Sequence, residues 1–389
     1  MHKLKENKIK ANLGVWLHNF LVERKQHIVV DTELSSPSKV VPGIPQGTVL
    51  GPVLALIFLS DLDEGLENLA SMFANDTQIM ASINEESDVE HLQEDLDRVY
   101  QWAANNNMKF NSDKFELLRY GKNQELKDDT IYFSADDNPI EEKEVLRDLG
   151  IMMNNACTFD DHIEKICKTV KQKSGWILRT FRCRQPHIMK ILWKQIVQPH
   201  IDYCSQLHMP VDGRRLGELE NLQRHFTSRI PSVSSMDYWK RLTQLQMLSQ
   251  QRRLERYRII YVWKVIEGLV PNCGILAEDK QRLGRLCTVP GLVNNSSSRI
   301  KTLRENSFQI HGPKLFNSLP FHIRNLTKCT IDEFKTQLDK VLTMVPDEPN
   351  ISGCEYTPRA CDMYTGKPSN SVIDQIRAIS FQKHRREGT

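Results

Sequence analysis

Two adjacent polar residues, Asn75 and Asp76, stand between apolar runs, with Leu69, Met72 and Phe73 before them and Ile79, Met80 and Ala81 after. That pattern predicts strand, tight turn, strand. A turn presenting two adjacent carboxylates can hold divalent cations, because hard ions such as Mg2+ take anionic oxygen ligands. The first position of the pair is here an amide, neutral and with one acceptor oxygen. Asp76 is the only anionic ligand of the two. Both residues also suit a hairpin turn with no metal at all.

A second group is the Gly/Pro-punctuated loop Pro42-Gly43-Ile44-Pro45-Gln46-Gly47. Gly47 would let backbone approach a ligand closely, and Gln46 offers an amide donor and acceptor. On turn statistics alone the stretch is an ordinary loop. The third feature is charge. The 389-residue chain has a formal net charge of +3, yet Ile163 to Lys264 holds 20 Lys/Arg against 7 Asp/Glu, an excess of 13. A basic middle between acidic flanks points to a polyanion partner, the alternative being solvated helix faces. Trp176, Trp193 and Trp263 have the chemistry to stack on bases, but at helical spacing they read first as core residues. His200 and His208 read as structural. Nine cysteines include no Cys-x-x-Cys pair, and Cys354 and Cys361 have no nearby His, which argues against a zinc site.

Periodicity supplies the elements that would position these groups. Hydrophobic content of 40% and charged content of 26% suit a folded core, and the length suggests two or three domains. Residues 1–25 read as an amphipathic helix with Leu13, Trp16, Leu17 and Phe20 on one face. Val29 to Leu34 reads as a strand. Val53 to Leu59 is apolar all round and is either a buried strand or a buried helix, Gly51-Pro52 suiting a helix start. Ser87-Asp88-Val89-Glu90 reads as a capping box with Ser87 as N-cap, opening a helix that ends near Asn105-Asn106-Asn107. Short strands are expected at Met108 to Phe110, Glu116 to Tyr120, Thr130 to Phe133 and up to Met152.

From about residue 160 the period is helical, over roughly 163–181, 187–200 (ended by Pro199), 214–229 and 245–267, with a last helix from Ile331 to Met344. The expected fold class is α+β. Residues 1–155 form a mixed α/β region, 156–270 a basic helical domain, 271–345 a helical and loop extension, and 346–389 a polar, mobile tail. Neither a signal peptide nor a membrane-spanning apolar run is expected, so the chain reads as intracellular, cytoplasmic or nuclear, and not secreted.

Seven segments, in order, resemble the reverse transcriptases of non-LTR (LINE-type) retrotransposons. Val41 to Pro52 is similar to the family's G-x-P-Q-G-x-x-x-G-P motif, and Ile57 to Leu62 to x-I-Y-x-N-D-L. Phe73-Ala74-Asn75-Asp76 stands at the place of F-A-D-D. Trp102 to Asn111 with Lys114 resembles the W…N…L-N…K segment, and Val145 to Ile151 resembles the primer-grip turn F-x-Y-L-G-I. Gln198 to Cys204 is similar to V-x-P-x-L-E-Y, and Leu219 to Arg224 to L-E-x-V-Q-R. Phe316-Asn317-Ser318-Leu319-Pro320 is a further familiar piece. The resemblance covers roughly residues 1–340.

The resemblance implies a partial palm (an antiparallel sheet with helices) over 1–155 and a helical thumb over 156–270. It implies RNA-directed DNA polymerase activity with Mg2+ and deoxynucleotides, an RNA template and a DNA primer as partners, and no membrane. By residue, it puts Asn75 and Asp76 at the catalytic turn, with Asp76 the remaining metal ligand. Pro45, Gln46, Gly47 and Lys114 fall beside template and nucleotide, and Leu149 and Gly150 at the primer grip. Lys165, Lys168, Lys171, Lys173, Arg252, Arg253 and Arg256 fall along the nucleic-acid backbone. Met1 falls inside a family helix, so an N-terminally truncated member is expected, with the fingers and the first catalytic strand missing. Two of three expected carboxylates would then be absent and Mg2+ would not be held productively. Three readings stay open: a catalytically inactive reverse transcriptase-like domain, a non-catalytic nucleic-acid-binding remnant, and a decayed open reading frame without function.

Overall fold

The computed structural model describes residues 2–40, 43–45, 47–111, 114–121, 130–135, 137–208, 213–280, 284–291, 298–348 and 371–376. The chain divides into two compact units, residues 1–143 and 144–389. The fold is mixed, with helices and small two-stranded sheets.

In the first unit the single helix expected over 1–25 is two, His2–Glu6 and Ala11–Leu21, separated at Lys8, whose φ of 57° breaks the helical path. The apolar run resolves as the helix Leu50–Leu59. Its Leu54 meets Leu4 and Leu17 in a small core with Ile9, Phe20 and Ile57 around it. Val29–Val30 and Glu33–Leu34 are not one strand but the two arms of a short hairpin, turned at Asp31 with φ 51°. The capping box lies two residues earlier than expected. Glu85 is the N-cap and Asp88 the reciprocating residue, because the Asp88 carboxylate accepts the Asn84 and Glu85 backbone N–H groups. The helix then runs Glu86–Asn105, ending where expected. Of the short strands, Glu116–Leu117 pairs parallel with Glu141–Glu142, Phe133 makes an isolated bridge to Pro139, and Met108 to Phe110 forms no strand.

The second unit opens with the hairpin Val145–Asp148/Ile151–Asn154, which packs on the helix Asp160–Thr180. Pro199 does not end its helix. A π-helical turn at Trp193–Val197 shifts the hydrogen-bond frame, and Gln198–Asp202 continues with Pro199 in its first turn, where no N–H is required. The long 245–267 helix is instead Tyr238–Leu245 followed by Gln250–Ile266, the second capped by the Ser249 hydroxyl accepting the Arg252 N–H. One core gathers Ile163, Val170, Ile177, Trp193, Phe226 and Leu254. Another gathers Ile259, Trp263, Phe316, Phe334 and Leu338, with Trp263 stacked on Phe334 at 4.4 Å. Residues 271–345, whose pattern is weak in sequence, therefore supply half of a core. Residues 372–376, inside the stretch expected to be a mobile tail, are helical and place Val372 in that core. Residues 349–370 and 377–389 lie outside the described residues. No helix among the described residues is long and apolar enough to cross a membrane.

Candidate catalytic hairpin and nucleic-acid face

The strand–turn–strand expected around Asn75-Asp76 is present. Leu69–Phe73 pairs antiparallel with Asp76–Met80, with Phe73 opposite Asp76 and Leu69 opposite Met80. The two turn residues are Ala74 and Asn75. Ala74 has φ 56° and Asn75 does not share the positive sign, the sign pattern of a II′ turn. Asn75 and Asp76 are both exposed at the tip. Among the described residues no cluster of three or more His, Cys, Asp or Glu side chains is placed to hold a metal ion. The donors at the tip are thus one carboxylate and one amide, which does not fit a pair of divalent ions.

Asp61, the acid of the Ile57–Leu62 segment, is engaged elsewhere. Its Oδ1 accepts from Lys3 Nζ at 2.6 Å and from Trp102 Nε1 at 2.9 Å. The Lys3 ammonium also lies 4.6 Å from the Phe58 ring centroid and 4.5 Å from that of Trp102. Burial alone would raise the Asp61 pKa, but the lysine and indole donors outweigh it and hold it below the ordinary carboxylate value. Two segments that resemble the family, around Asp61 and Trp102, meet here as a structural tie.

What positions the hairpin is a residue that sequence reading passed over. Asp95, buried on the helix Glu86–Asn105, accepts the Asn68 N–H at 2.8 Å, the Glu67 N–H at 3.0 Å and the Asn68 side-chain amide at 2.9 Å. Arg98 completes its partners at 2.8 Å. The carboxylate thereby clamps the chain immediately before strand Leu69–Phe73. Burial raises its pKa, and these donors more than reverse that, leaving it lowered. The available signal was an acid at a helix position facing apolar Leu92 and Val99, where an unpaired charge would be costly.

In the loop, Thr48 locks the turn, donating its hydroxyl to the Pro45 carbonyl at 2.9 Å and accepting the Gly51 N–H at 3.1 Å. A Cβ on Gly51 would sit 2.9 Å from the Pro45 carbonyl oxygen, so glycine is required there. Gly47 has φ 77° and open space around it. Gln46 lies outside the described residues. Lys114 is exposed. Among the described residues no hydrogen bond or ion pair joins Asn75 or Asp76 to Pro45, Gly47 or Lys114.

In the second unit Leu149 and Gly150 are the two turn residues of their hairpin, at φ 43° and 92°, the sign pattern of a I′ turn. The Tyr203 hydroxyl donates to the Leu149 carbonyl at 2.7 Å, and its ring lies 3.6 Å from where a Gly150 Cβ would stand. Behind them His162 and His208 meet edge to face, ring centroids 4.6 Å apart. The Met152 N–H points at His162 Nδ1 at 3.4 Å, and His208 Nε2 bonds the Tyr203 carbonyl at 2.8 Å. Burial, then His208 and Lys165, push the His162 pKa down to about 4, so the pair is neutral near pH 7.

The basic residues separate into two sets. Arg252 is buried and donates to the Leu342, Val345 and Pro346 carbonyls. Arg253 grips the Asp202 carboxylate with Nε at 2.9 Å and Nη2 at 2.6 Å, and Arg256 holds Asp339 at 2.8 Å. These three arginines, expected along a nucleic-acid backbone, are instead spent on internal partners. Lys165, Lys168, Lys171 and Lys173 are exposed, and none forms an ion pair with a carboxylate among the described residues. Trp193 and Trp263 are fully buried, as expected of core residues, whereas Trp176 is 46% exposed.

Residues 1–174, which include both hairpins, match the family model described as reverse transcriptase (RNA-dependent DNA polymerase). Over this segment the chain is similar to the reverse transcriptases. The chain is also similar to the RNA-directed DNA polymerase from mobile element jockey of Drosophila melanogaster, 28% identical over 225 residues, covering 54% of this chain and 24% of that one. The jockey polymerase of Drosophila funebris is 27% identical over 230 residues, covering 55% of this chain and 24% of its own. A probable polymerase from transposon X-element of Drosophila melanogaster is 24% identical over 200 residues, covering 49% and 22%. The chain thus spans under a quarter of the length of these relatives. The reverse transcriptase match includes the Leu149-Gly150 turn and most of the lysine-bearing helix Asp160–Thr180.

Proposed function

We propose that this reverse transcriptase-like domain of a non-LTR retrotransposon binds nucleic acid without acting as an independent polymerase. Asn75 carries the catalytic half of that reading. Phosphoryl transfer by two ions needs carboxylates that converge on both, about 3.5–4 Å apart. Mg2+ takes hard anionic oxygens in near-octahedral geometry. An exposed amide beside a single carboxylate supplies neither the charge nor the ligand count. No step through the metal follows from these residues.

The binding half rests on the helix Asp160–Thr180, whose exposed lysines form no ion pair with a carboxylate among the described residues. A template–primer duplex is the polyanion that the family implies, and contacts from such lysines would be sequence-independent and salt-sensitive. Pro45, Gly47, Leu149 and Gly150 keep the template-side and primer-side roles that the resemblance suggests, as proposals.

Primer extension on an RNA template, with Mg2+ or Mn2+, tests the catalytic half. Incorporation by the 389-residue chain should not exceed that of Asp76→Ala, and template-dependent extension above that control would overturn the reading. Binding of an RNA–DNA duplex that weakens steeply with salt tests the other half; no binding at low salt would sink it.

A further inference from the structure

We infer that the helix Asp160–Thr180 carries a stacking platform for unpaired bases, centred on Trp176. The inference rests on the reading that this helix meets nucleic acid, and it names the form that is held there: single-stranded RNA or DNA.

Lys165, Lys168, Gln172, Trp176 and Arg179 recur at three- and four-residue intervals, so they form one stripe along the helix. The opposite face, with Ile163, Ile166, Val170 and Ile177, is buried. Lys171 and Lys173 flank the stripe on either side. Trp176 is 46% exposed, while the helix's other large apolar residues turn inward or are half-buried. Phe181 meets the Trp176 ring at 86° and 6.0 Å, an edge contact that braces the indole. The Arg179 guanidinium lies along Gly175, 3.2 Å from where a Cβ would be, beside the tryptophan.

The nearby carboxylates turn away from the stripe. Asp160 and Glu164 lie 3.7 Å from the Arg215 guanidinium, and Asp161 accepts the Asn154 amide at 2.8 Å. The stripe is therefore cationic with one aromatic plane in its midst. A duplex offers its phosphates to such a surface but keeps its bases stacked inside. A single strand offers both, since every unpaired base has a π-face and stacking tolerates any sequence. Charge alone would make the lysines a generic polyanion surface. The exposed indole among them points to unpaired nucleic acid.

The test uses the full chain, a labelled unstructured RNA oligonucleotide and an RNA–DNA hybrid duplex, with affinities read by fluorescence anisotropy at fixed salt. Trp176→Ala should weaken single-strand binding roughly fivefold to a hundredfold, the range of one base–aromatic stack. Trp176→Phe should retain most of the affinity, and hybrid binding by both variants should stay within about twofold of the parent. Quenching of the parent's tryptophan emission by the single strand should disappear in Trp176→Phe. Because Trp176 is half exposed, the variants should keep the parent's thermal transition. Lys165→Gln with Lys168→Gln should weaken single strand and hybrid alike. If Trp176→Ala leaves single-strand binding intact while the lysine variant loses it, the platform is wrong and the nucleic-acid reading survives. Equal loss of single strand and hybrid in Trp176→Ala overturns the preference for unpaired bases. Absence of all binding overturns both readings.

Discussion

The Tyr203 hydroxyl donates to the Leu149 carbonyl at 2.7 Å, across 54 residues of chain. The two residues belong to separate segments that resemble the family, and the bond makes them one device: the tyrosine holds the tip of the Val145–Asn154 hairpin from below. Its ring lies beside Gly150, whose positive φ a larger residue would strain. Tyr203→Phe keeps the ring and removes the donor. With Tyr203 half exposed, the expected cost is about 0.5 kcal/mol, the lower end for a neutral hydrogen bond. Amide hydrogen exchange at Ile151 and Met152 should quicken by roughly twofold while the global transition stays put. Unchanged protection at those amides would show that the bond does not hold the hairpin.

Asp95 clamps the other hairpin. Asp95→Asn removes a charged acceptor from two backbone N–H groups and should cost about 1.5–3 kcal/mol in the first unit's unfolding. The pH dependence has a definite sign. The folded Asp95 pKa is lowered, so its contribution is complete above the unfolded value, near 3.9, and fades as pH falls through the folded one. The gap between parent and variant in denaturant unfolding should therefore be wide at pH 7 and narrow progressively below about pH 4. A gap that does not change with pH would exclude the carboxylate as its source.

Glu255 behaves in the opposite sense. Burial pushes its pKa up to about 7 despite the Val372 N–H at 2.7 Å, Ser371 and the neighbouring Arg252. Its contribution is full below the ordinary glutamate value of 4.5 and is lost as pH rises to about 7. Glu255→Gln keeps an acceptor for Val372 but cannot ionise. Relative to the parent, the variant should gain stability by up to about 1.4 kcal/mol per pH unit across that window, read from chemical denaturation of the second unit. A flat difference from pH 4.5 to pH 8 would mean the residue is not held protonated.

The two sets of basic residues predict different responses to salt. Lys168→Gln should reduce the slope of log affinity against log salt by roughly one, with folding unaffected. Arg253→Gln should leave that slope unchanged but destabilise the second unit by about 2 kcal/mol, because it strands the Asp202 carboxylate beside Tyr257. The converse pattern, a stable fold with a smaller slope for Arg253→Gln, would return the arginine to the binding surface.

The hairpin Leu69–Met80 exposes Leu69 by 66% and Phe73 by 65%, and among the described residues its two strands pair only with each other. Free strand edges with apolar side chains invite association between chains. Leu69→Lys with Phe73→Lys should keep the chain monomeric to higher concentration in light scattering. Aggregation at the parent's concentration would place the sticky surface elsewhere.

Local rules carried much of this reading. Apolar residues on both sides of Asn75-Asp76 gave the hairpin, Gly51-Pro52 suited the helix start of a run whose period left strand or helix open, and the 3.6 period gave Ile331–Met344 to the residue and Asp160–Thr180 to within three residues. These features depend on neighbours within one turn or one strand pair, so they are written in consecutive residues. The amide at Asn75 is equally plain, because it is a statement about one side chain's charge.

Long-range packing decided the rest. Whether a basic residue faces water or a carbonyl depends on partners 51 to 94 residues away, as for Arg253 with Asp202 and Arg252 with Pro346. Periodicity does not distinguish them from Lys168. The same holds for three tryptophans at helical spacing: Trp193 and Trp263 find cores and Trp176 does not. Asp95 looked like one more polar helix residue until the fold brought the N–H groups of Glu67 and Asn68 to its carboxylate. A side chain's type and local period follow from the chain itself, whereas its partner, and with it the free energy of burying or exposing its charge, exists only once distant segments have met.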